Sequence, residues 1–165
     1  MVFHMPQKQI NPPALRTHNI NIECVSNFSF LGIKLDKHMS WKSHIDSVYT
    51  KISRSVGILN RLKHFLPLNI KLNIYNSLIL PHINYGILLW GTRGEGILKL
   101  QKKALRIICL KKYNAHTEPL FKSLNVLKIQ DIFNMSQLKF YYKLVNNNLP
   151  EFFQTLPFYR NNAVH

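Results

Sequence analysis

The most regular apolar pattern in the chain runs through residues 41–62. Apolar residues recur there at alternating spacings of three and four, at Trp41, Ile45, Val48, Ile52, Val56, Leu59 and Leu62. This period is typical of an amphipathic helix that buries one face. Ser40 is the expected N-cap. The helix is expected to end at Leu66, because proline at position 67 disfavours helical geometry in the residue before it.

The same period predicts further helices after Pro67. One begins at an expected N-cap, Asn69, buries Leu72, Tyr75, Leu78 and Ile79, and is interrupted at Pro81. Residues 82–90 continue as one or two more helical turns. Three glycines at 91, 94 and 96 make residues 91–96 the clearest loop in the chain.

Three more helices are expected in the second half of the chain. They cover residues 97–112, a short stretch capped by Thr117 through Ser123, and residues 129–145. In the last of these, six apolar positions are expected to face mostly inward: Ile132, Phe133, Met135, Leu138, Tyr141 and Tyr142. The predicted fold class is therefore mainly α, a helical bundle.

Short strands are predicted before the long helix. Ile20 and Ile22 alternate with polar residues, and residues 30–35 form a brief apolar run interrupted by Gly32. A glycine inside a strand often marks a bulge or a close approach by another backbone. Residues 2–4 are expected to form another strand. Since such short strands do not make a stable sheet alone, we expect a small antiparallel β element at the edge of a larger sheet.

The charge balance indicates a polyanionic partner. The 165 residues include 22 Lys+Arg and 7 Asp+Glu, for a net charge of +15, and 46% of them are hydrophobic. The hydrophobic fraction is high enough to form a core. The basic residues lie on helix faces rather than in a tail. Nucleic acid is the leading candidate partner and an anionic membrane surface the second, while a charge excess that only keeps the protein soluble is the alternative.

Cysteine usage and hydropathy favour an intracellular protein. Two isolated cysteines, Cys24 and Cys109, do not make a disulfide framework. The first residues contain no apolar signal sequence. Residues 74–90 are interrupted by polar residues and a proline, so they are interpreted as core rather than as a membrane span. We expect a nuclear or cytoplasmic location, no secretion and no membrane partner.

No recognisable catalytic constellation is present. The seven acids are at least ten residues apart in the sequence, whereas two-metal nucleotidyl transfer needs carboxylates close together. No CxxC, helical His pair, phosphate-binding glycine loop or GxSxG motif occurs. We therefore expect no catalytic residue, no metal ligand and no cofactor in this chain.

Four segments, in this order, resemble the reverse transcriptases of non-LTR retrotransposons, and the jockey-like group fits best. They are FLGIKLD, MSWKSHIDSVYTKISRSVGILNRLKHFLP, IYNSLILPHINYGILLWG and LQKKALRIICLKKYNAHTEPLFKSLNVLKIQDI. The resemblance covers residues 1–155. It implies that residues 1–38 are palm-edge strands with a turn like the primer grip, 39–90 thumb-like helices, 91–155 a basic helical extension and 156–165 a tail.

The resemblance also implies a division of chemistry. The family's catalytic aspartates lie in a YxDD-type motif and an earlier strand, and neither motif occurs here, so catalysis by this chain alone is in doubt. Magnesium belongs to the complete polymerase. The implied partners are the RNA/DNA template–primer duplex and the palm and fingers. The expected nucleic-acid contacts are Gly32 near the primer end, Lys51, Arg54, Arg61 and Lys63 on the long helix, and Lys99, Lys102, Lys103 and Arg106 on the next basic helix.

Two other interpretations stay open at this stage. The chain could be a reused helical module that binds a protein through residues 28–35, or a relic without activity. The cations on the second basic helix, spaced at i, i+3, i+4 and i+7, repel one another when unpaired. Phosphate would relieve that repulsion, but a solvated face is equally compatible with the pattern.

Overall fold

The computed structural model describes residues 1–5, 7, 14–18 and 20–154. Its strands are β1 (Leu15–Thr17), β2 (Ile20–Ile22), β3 (Asn27–Phe30) and β4 (Ile33–Asp36). Its α-helices are α1 (Lys42–Leu62), α2 (Leu68–Leu78), α3 (Leu80–Asn84), α4 (Ile87–Trp90), α5 (Glu95–Ile108), α6 (Glu118–Ser123), α7 (Ile129–Val145) and α8 (Glu151–Gln154), with a 3-10 turn at Gly91–Arg93 between α4 and α5. This mainly α architecture with antiparallel strands ahead of it confirms the predicted fold class. The predicted tail, residues 156–165, lies outside the described residues.

The strands pair as two separate antiparallel hairpins. The predicted strand at residues 20–22 is confirmed as β2, which pairs with β1. The prediction of one strand over residues 30–35 is wrong, because Leu31 and Gly32 form a two-residue turn between β3 and β4. Both turn residues have positive φ, 46° and 79°, as in the type I′ turns that match the twist of a hairpin. Gly32 therefore lies in a turn and not in a bulge, and a leucine beside it gave no turn signal.

Residues 2–4 do not form the predicted strand. The backbone N–H of His4 donates to the Lys37 carbonyl at 3.0 Å, and the His38 ring Nδ1 lies 3.0 Å from the His4 carbonyl. These contacts tie the segment to the end of β4, but they do not continue into a ladder.

The core is built on the apolar stripe of α1. Val48, Ile52, Val56 and Leu59 are buried and pack in one cluster with the buried face of α5. Apolar residues at helical spacing along α5 are buried, namely Ile97, Leu100, Ala104, Leu105 and Ile108. Among the described residues, no helix combines the length and the apolar character that crossing a bilayer requires.

Several helix boundaries differ from the prediction. α1 ends at Leu62 rather than 66, and the chain turns through residues 63–66. α2 begins one residue before the expected cap, since Pro67 is itself the N-cap and its carbonyl accepts from the Lys71 N–H at 3.2 Å. Leu78, expected inside, is 42% exposed.

A fully buried glutamine joins three segments of the core. The Gln101 amide nitrogen donates to the Tyr75 hydroxyl and to the Leu127 carbonyl, both at 2.8 Å. Its amide oxygen accepts from the Ile129 N–H at 3.1 Å. Burial raises the pKa of Tyr75 to about 12, although its hydrogen bond with Gln101 acts in the opposite direction. Because buried polar groups cost free energy unless they are paired, this network specifies how α2, α5 and the start of α7 meet.

The predicted loop at residues 91–96 is helical instead. Gly91 has an ordinary helical backbone, with φ −60° and ψ −24°, and α5 already begins at Glu95. The glycines have a packing role: a Cβ on Gly91 would lie 2.5 Å from the Phe133 ring, and one on Gly94 would lie 2.7 Å from Ile129. Their missing side chains let α7 approach.

α7 has the predicted bounds but not the predicted orientation along its whole length. Ile129 and Ile132 are buried, whereas Leu138, Tyr141 and Tyr142 are 64–69% exposed. The expectation that these three face inward is wrong, because the second half of α7 extends beyond the core that the described residues form. Met135, at 37% exposure, marks the transition.

The carboxylate of Asp36 fixes the corner between β4 and α1. It accepts hydrogen bonds from the N–H groups of His38, Ser40 and Trp41 at 3.0–3.1 Å, and from the Ser40 hydroxyl at 2.9 Å. The predicted N-cap is therefore displaced. Trp41 occupies that position in a left-handed conformation, with φ 62°, and Ser40 Oγ accepts from the Lys42 N–H at 3.3 Å.

We expect Gly91→Ala to destabilise the protein and Gly57→Ala to stabilise it. A Cβ at Gly91 would overlap Phe133 and Ile87, whereas one at Gly57 on α1 meets nothing within 4 Å. The open site gains about 0.5–1 kcal/mol from the higher helix propensity of alanine. The crowded site should lose about 1–3 kcal/mol through overpacking. Urea denaturation of both variants checks the opposite signs, and equal shifts would contradict the packing role of Gly91.

We expect Asp36→Asn to destabilise the protein in a pH-dependent way. Partial burial alone would raise the pKa of Asp36, but its hydrogen bonds, chiefly from Ser40, outweigh burial and hold the pKa below its ordinary value of 3.8. The stabilisation is thus complete above that ordinary value and is lost as the pH falls through the lowered pKa. At neutral pH, Asp36→Ala should cost about 1–2 kcal/mol, as loss of a helix cap does, and Asp36→Asn less.

Denaturation curves at neutral and strongly acidic pH measure this effect. Asp46→Asn is the matched control, since the exposed Asp46 side chain makes no hydrogen bond within the described part of the chain. A constant difference between the wild-type protein and Asp36→Asn at all pH values would contradict the role given to the carboxylate.

Candidate nucleic-acid interface

A polar groove of about 770 Å³ lies between the β3–β4 hairpin and the first half of α1. Its position follows from the Asp36 corner, which holds the start of α1 against the end of β4. Residues directly opposite in an antiparallel pair share a face, so Asn27, Lys34 and Asp36 lie on one side of the hairpin and Phe28, Ile33 and Leu35 on the other. The polar side faces the groove.

Cations and hydroxyl groups dominate the groove lining. The cations are Lys34, Lys37, Lys42, Lys51 and Arg54; the hydroxyl residues are Ser26, Ser40, Ser43, Ser47 and Thr50; the acids are Asp36 and Asp46, with Asn27 and His38 completing the lining. Thr50 donates to the Asp46 carbonyl at 2.8 Å. The hydroxyl groups of Ser43 and Ser47 have no hydrogen-bond partner within the described part of the chain, so they are available to a ligand.

The positive charge of the groove is not neutralised by ion pairs. Within the described ranges, the ion pair that forms is Lys128–Glu118 at 2.6 Å, and neither residue lines the groove. Burial, followed by the charges of Lys51 and Lys34, lowers the pKa of His44. Burial and then Lys51 likewise lower the pKa of His82 on α3. The charge of Lys51 thus acts on a histidine of its own helix and on one of α3.

His44 lies beneath this groove. It is 3% exposed, and its Nδ1 accepts from the Lys34 N–H at 3.4 Å. Its ring meets Trp90 edge-on, with 5.8 Å between centroids. The buried histidine thereby connects the hairpin, α1 and α4, and its lowered pKa keeps it neutral at neutral pH.

The predicted contact residues on α1 divide into two groups. Lys51 and Arg54 line the groove. Arg61 lies in the last turn of α1 and Lys63 directly after the helix. They are about 10–14 Å beyond Arg54 along the helix axis. The Lys63 carbonyl accepts a hydrogen bond from Nζ of the buried Lys71 at 3.3 Å.

Gly32 lies at the hairpin tip, away from the residues that line the groove. A Cβ there would be 3.7 Å from the Tyr85 ring, and the Tyr85 hydroxyl donates to the Leu31 carbonyl. The turn is thus supported by Tyr85, the residue that follows α3. The role of Gly32 near a primer end stays a prediction.

The cationic row on α5 is separate from the groove. Lys99 and Lys103 are exposed, and Lys102 and Arg106 are half-buried. Arg106 Nε donates to the Ala115 carbonyl at 2.9 Å, so part of this side chain has a structural role.

Sequence reasoning missed the contribution of the hairpin to this surface. Lys34 and Lys37 join the groove because the hairpin folds back beside α1. The alternation of Ile33, Lys34, Leu35 and Asp36 did carry a signal, since it places Lys34 and Asp36 on one face. When residues 30–35 are taken as one continuous strand, the hairpin is not predicted, and nothing then places Lys34 and Asp36 beside α1.

The described residues do not fit a magnesium site. No three His, Cys, Asp or Glu residues among them come together as a metal-binding group. Asp36, the most engaged carboxylate, already accepts hydrogen bonds at both oxygens. No step of a metal-dependent reaction is therefore assigned to these residues.

Comparisons with known proteins give two significant relatives among curated sequences. The chain is 22% identical over 149 residues to a probable RNA-directed DNA polymerase from transposon X-element of Drosophila melanogaster, covering 83% of this chain and 16% of the relative. It is 30% identical over 112 residues to the RNA-directed DNA polymerase from mobile element jockey of the same organism, covering 63% of this chain and 12% of the relative. No family model matches, and no solved structure matches significantly.

The chain thus spans less than one fifth of the length of either curated relative. The matches confirm the resemblance that the sequence motifs predicted: over most of its length, this chain is similar to a part of the RNA-directed DNA polymerases of non-LTR retrotransposons.

Proposed function

We propose that this chain contributes template–primer binding to an RNA-directed DNA polymerase of a non-LTR retrotransposon. In this proposal it is the thumb-side portion, and it holds the nucleic-acid backbone while residues elsewhere in the polymerase perform the chemistry. The observation that carries the proposal is the groove, whose five cations and two of whose serine hydroxyl groups have no partner among the described residues. The similarity to two polymerases supports the same assignment.

The chemistry of the groove suits phosphate groups rather than base edges. Lys, Arg, Ser, Thr and Asn side chains supply most contacts to nucleic-acid phosphates, and these contacts position a duplex without reading its sequence. In the groove, Ser43 and Ser47 stand one helical turn apart on α1, and Lys51 and Arg54 continue along the helix. Binding should therefore depend little on sequence and strongly on salt.

The α5 row would provide a second contact in this proposal. Lys99, Lys102 and Lys103 form no ion pair with the described acids, so most of their mutual repulsion persists in the free protein. Phosphate groups would relieve it. Whether the groove and the row bind one duplex together is tested by combining their variants.

We expect Lys51→Glu with Arg54→Glu to weaken duplex binding and to reduce its salt dependence. If both side chains contact phosphates, the slope of log K against log salt should fall by about 1.8 in magnitude, at about 0.9 per contact. Asp46→Asn should strengthen binding at low salt, because it removes a negative charge from the groove. Fluorescence anisotropy with a labelled RNA/DNA duplex over a salt series measures each effect.

The matched control is Lys139→Glu with Lys143→Glu on α7, which changes the net charge equally but lies outside the groove and the α5 row. Equal losses in the two double variants would mean that only total charge matters. Wild-type affinity that is the same at low and high salt would reject the phosphate-contact proposal.

A specific observation favours a second candidate, a protein-binding module. On the side of the hairpin away from the groove, Phe28 and Phe30 are 51% and 58% exposed, and Leu31 at the tip is 74% exposed. An apolar surface of this kind suits a protein partner such as the palm. Unchanged nucleic-acid affinity in both the groove variant and a Lys99, Lys102, Lys103→Glu variant would favour this candidate over the first.

A further inference from the structure

An exposed tyrosine stands between lysines just beyond α5. Tyr113 is 89% exposed, the highest value among the large hydrophobic side chains described. It follows two exposed lysines, Lys111 and Lys112. Single exposed aromatics are common, so the surroundings of this one decide whether it has a function.

The backbone around Tyr113 is held in place rather than left loose. α5 ends in a Schellman motif, in which the Lys111 N–H donates to the Arg106 carbonyl at 2.8 Å and the Leu110 N–H to the Ile107 carbonyl at 3.2 Å. Leu110 takes the left-handed conformation of that motif, with φ 54°. This geometry turns the chain sharply away from the helix axis.

A β-turn then presents the ring. The Ala115 N–H donates to the Lys112 carbonyl at 3.1 Å, which places Tyr113 at the first central position of the turn. Arg106 Nε donates to the Ala115 carbonyl at 2.9 Å, so the turn is also fastened to α5. The tyrosine ring is thus exposed on a backbone that is already ordered. Binding a ligand there needs little further ordering of the backbone.

The charged side chains of the turn and of the residues before it, back to the start of the cationic row, are all positive. Arg106 connects the turn to the cationic row of α5, and Lys111 and Lys112 extend that row beyond the helix. Lys102 contributes to the lowered pKa of Glu118, but that carboxylate already forms an ion pair with Lys128 at 2.6 Å. A flat aromatic face flanked by unpaired cations is the combination that binds single-stranded nucleic acid, where bases stack on the ring and cations meet the phosphates.

The geometry points to the Lys112–Ala115 turn as a site for an unpaired base of single-stranded nucleic acid. Tyr113 is the stacking platform, and Lys111 and Lys112 bind the flanking phosphates. This inference rests on the proposed nucleic-acid binding and adds a second ligand class, single strands, at a place separate from the groove. A protein partner fits less well, because lysine is depleted at the centres of protein interfaces.

Binding of two fluorescein-labelled probes by the full chain tests the inference: an oligothymidylate of about 12 nucleotides and a blunt duplex of the same length. Tyr113→Ala should weaken single-strand binding by about 5- to 150-fold, the loss of one stacked base. Duplex binding should stay unchanged, because its bases are already stacked on one another. Tyr113→Phe should retain the single-strand affinity, since stacking needs the ring and not the hydroxyl.

Tyr141→Ala is the matched control, a 64% exposed tyrosine on α7 without a place in the turn. Tyr113→Ala with normal single-strand affinity would overturn the inference while duplex binding kept the proposed function intact. Equal losses for both probes, or a Tyr113→Phe variant as weak as Tyr113→Ala, would also overturn it. Wild-type protein that binds neither probe would overturn both this inference and the proposed function.

Discussion

The packing of the α1 stripe against α5 is the constraint on which the rest of the structure depends. It buries one face of each helix and so leaves the polar faces of both, with their lysines and arginines, in solvent. The shorter helices α2 to α4 pack around this pair, and Gln101 of α5 connects α2 to the start of α7. The division of these helices into an apolar and a cationic face is therefore set by the core itself.

One carboxylate converts this helical core into a surface with a groove. By binding three backbone N–H groups, Asp36 holds the hairpin at the N-terminal end of α1. Lysines of the hairpin then stand opposite cations of the helix. The groove is thus made from two elements that are adjacent in sequence, and neither element alone would concentrate charge in this way.

Local periodicity was enough to predict α1 and α5, because each buries apolar residues at helical spacing over several turns. It also predicted the bounds of α7, although only the first turn of that helix, at Ile129 and Ile132, is buried. It failed where tertiary packing decides the outcome. The glycines at 91 and 94 suggested a loop, but they are needed for the approach of α7. Leu31 and Trp41 adopt left-handed conformations for which neither side chain gives a signal. Only the α1 side of the groove was predictable. The other side is the β3–β4 hairpin, and the apolar run at residues 30–35 gave no sign of the turn at Leu31 and Gly32 that forms it.

The scarcity of ion pairs has a consequence for the free energy of the fold. A chain with a net charge of +15 and a single pair within its described part carries substantial internal repulsion. That repulsion raises the free energy of the free, compact protein. A polyanion that binds the folded chain adds RT ln(1 + [L]/Kd) to its stability, so the fold and its ligand are thermodynamically linked. The melting temperature of this protein is consequently a property of the chain together with its counterions.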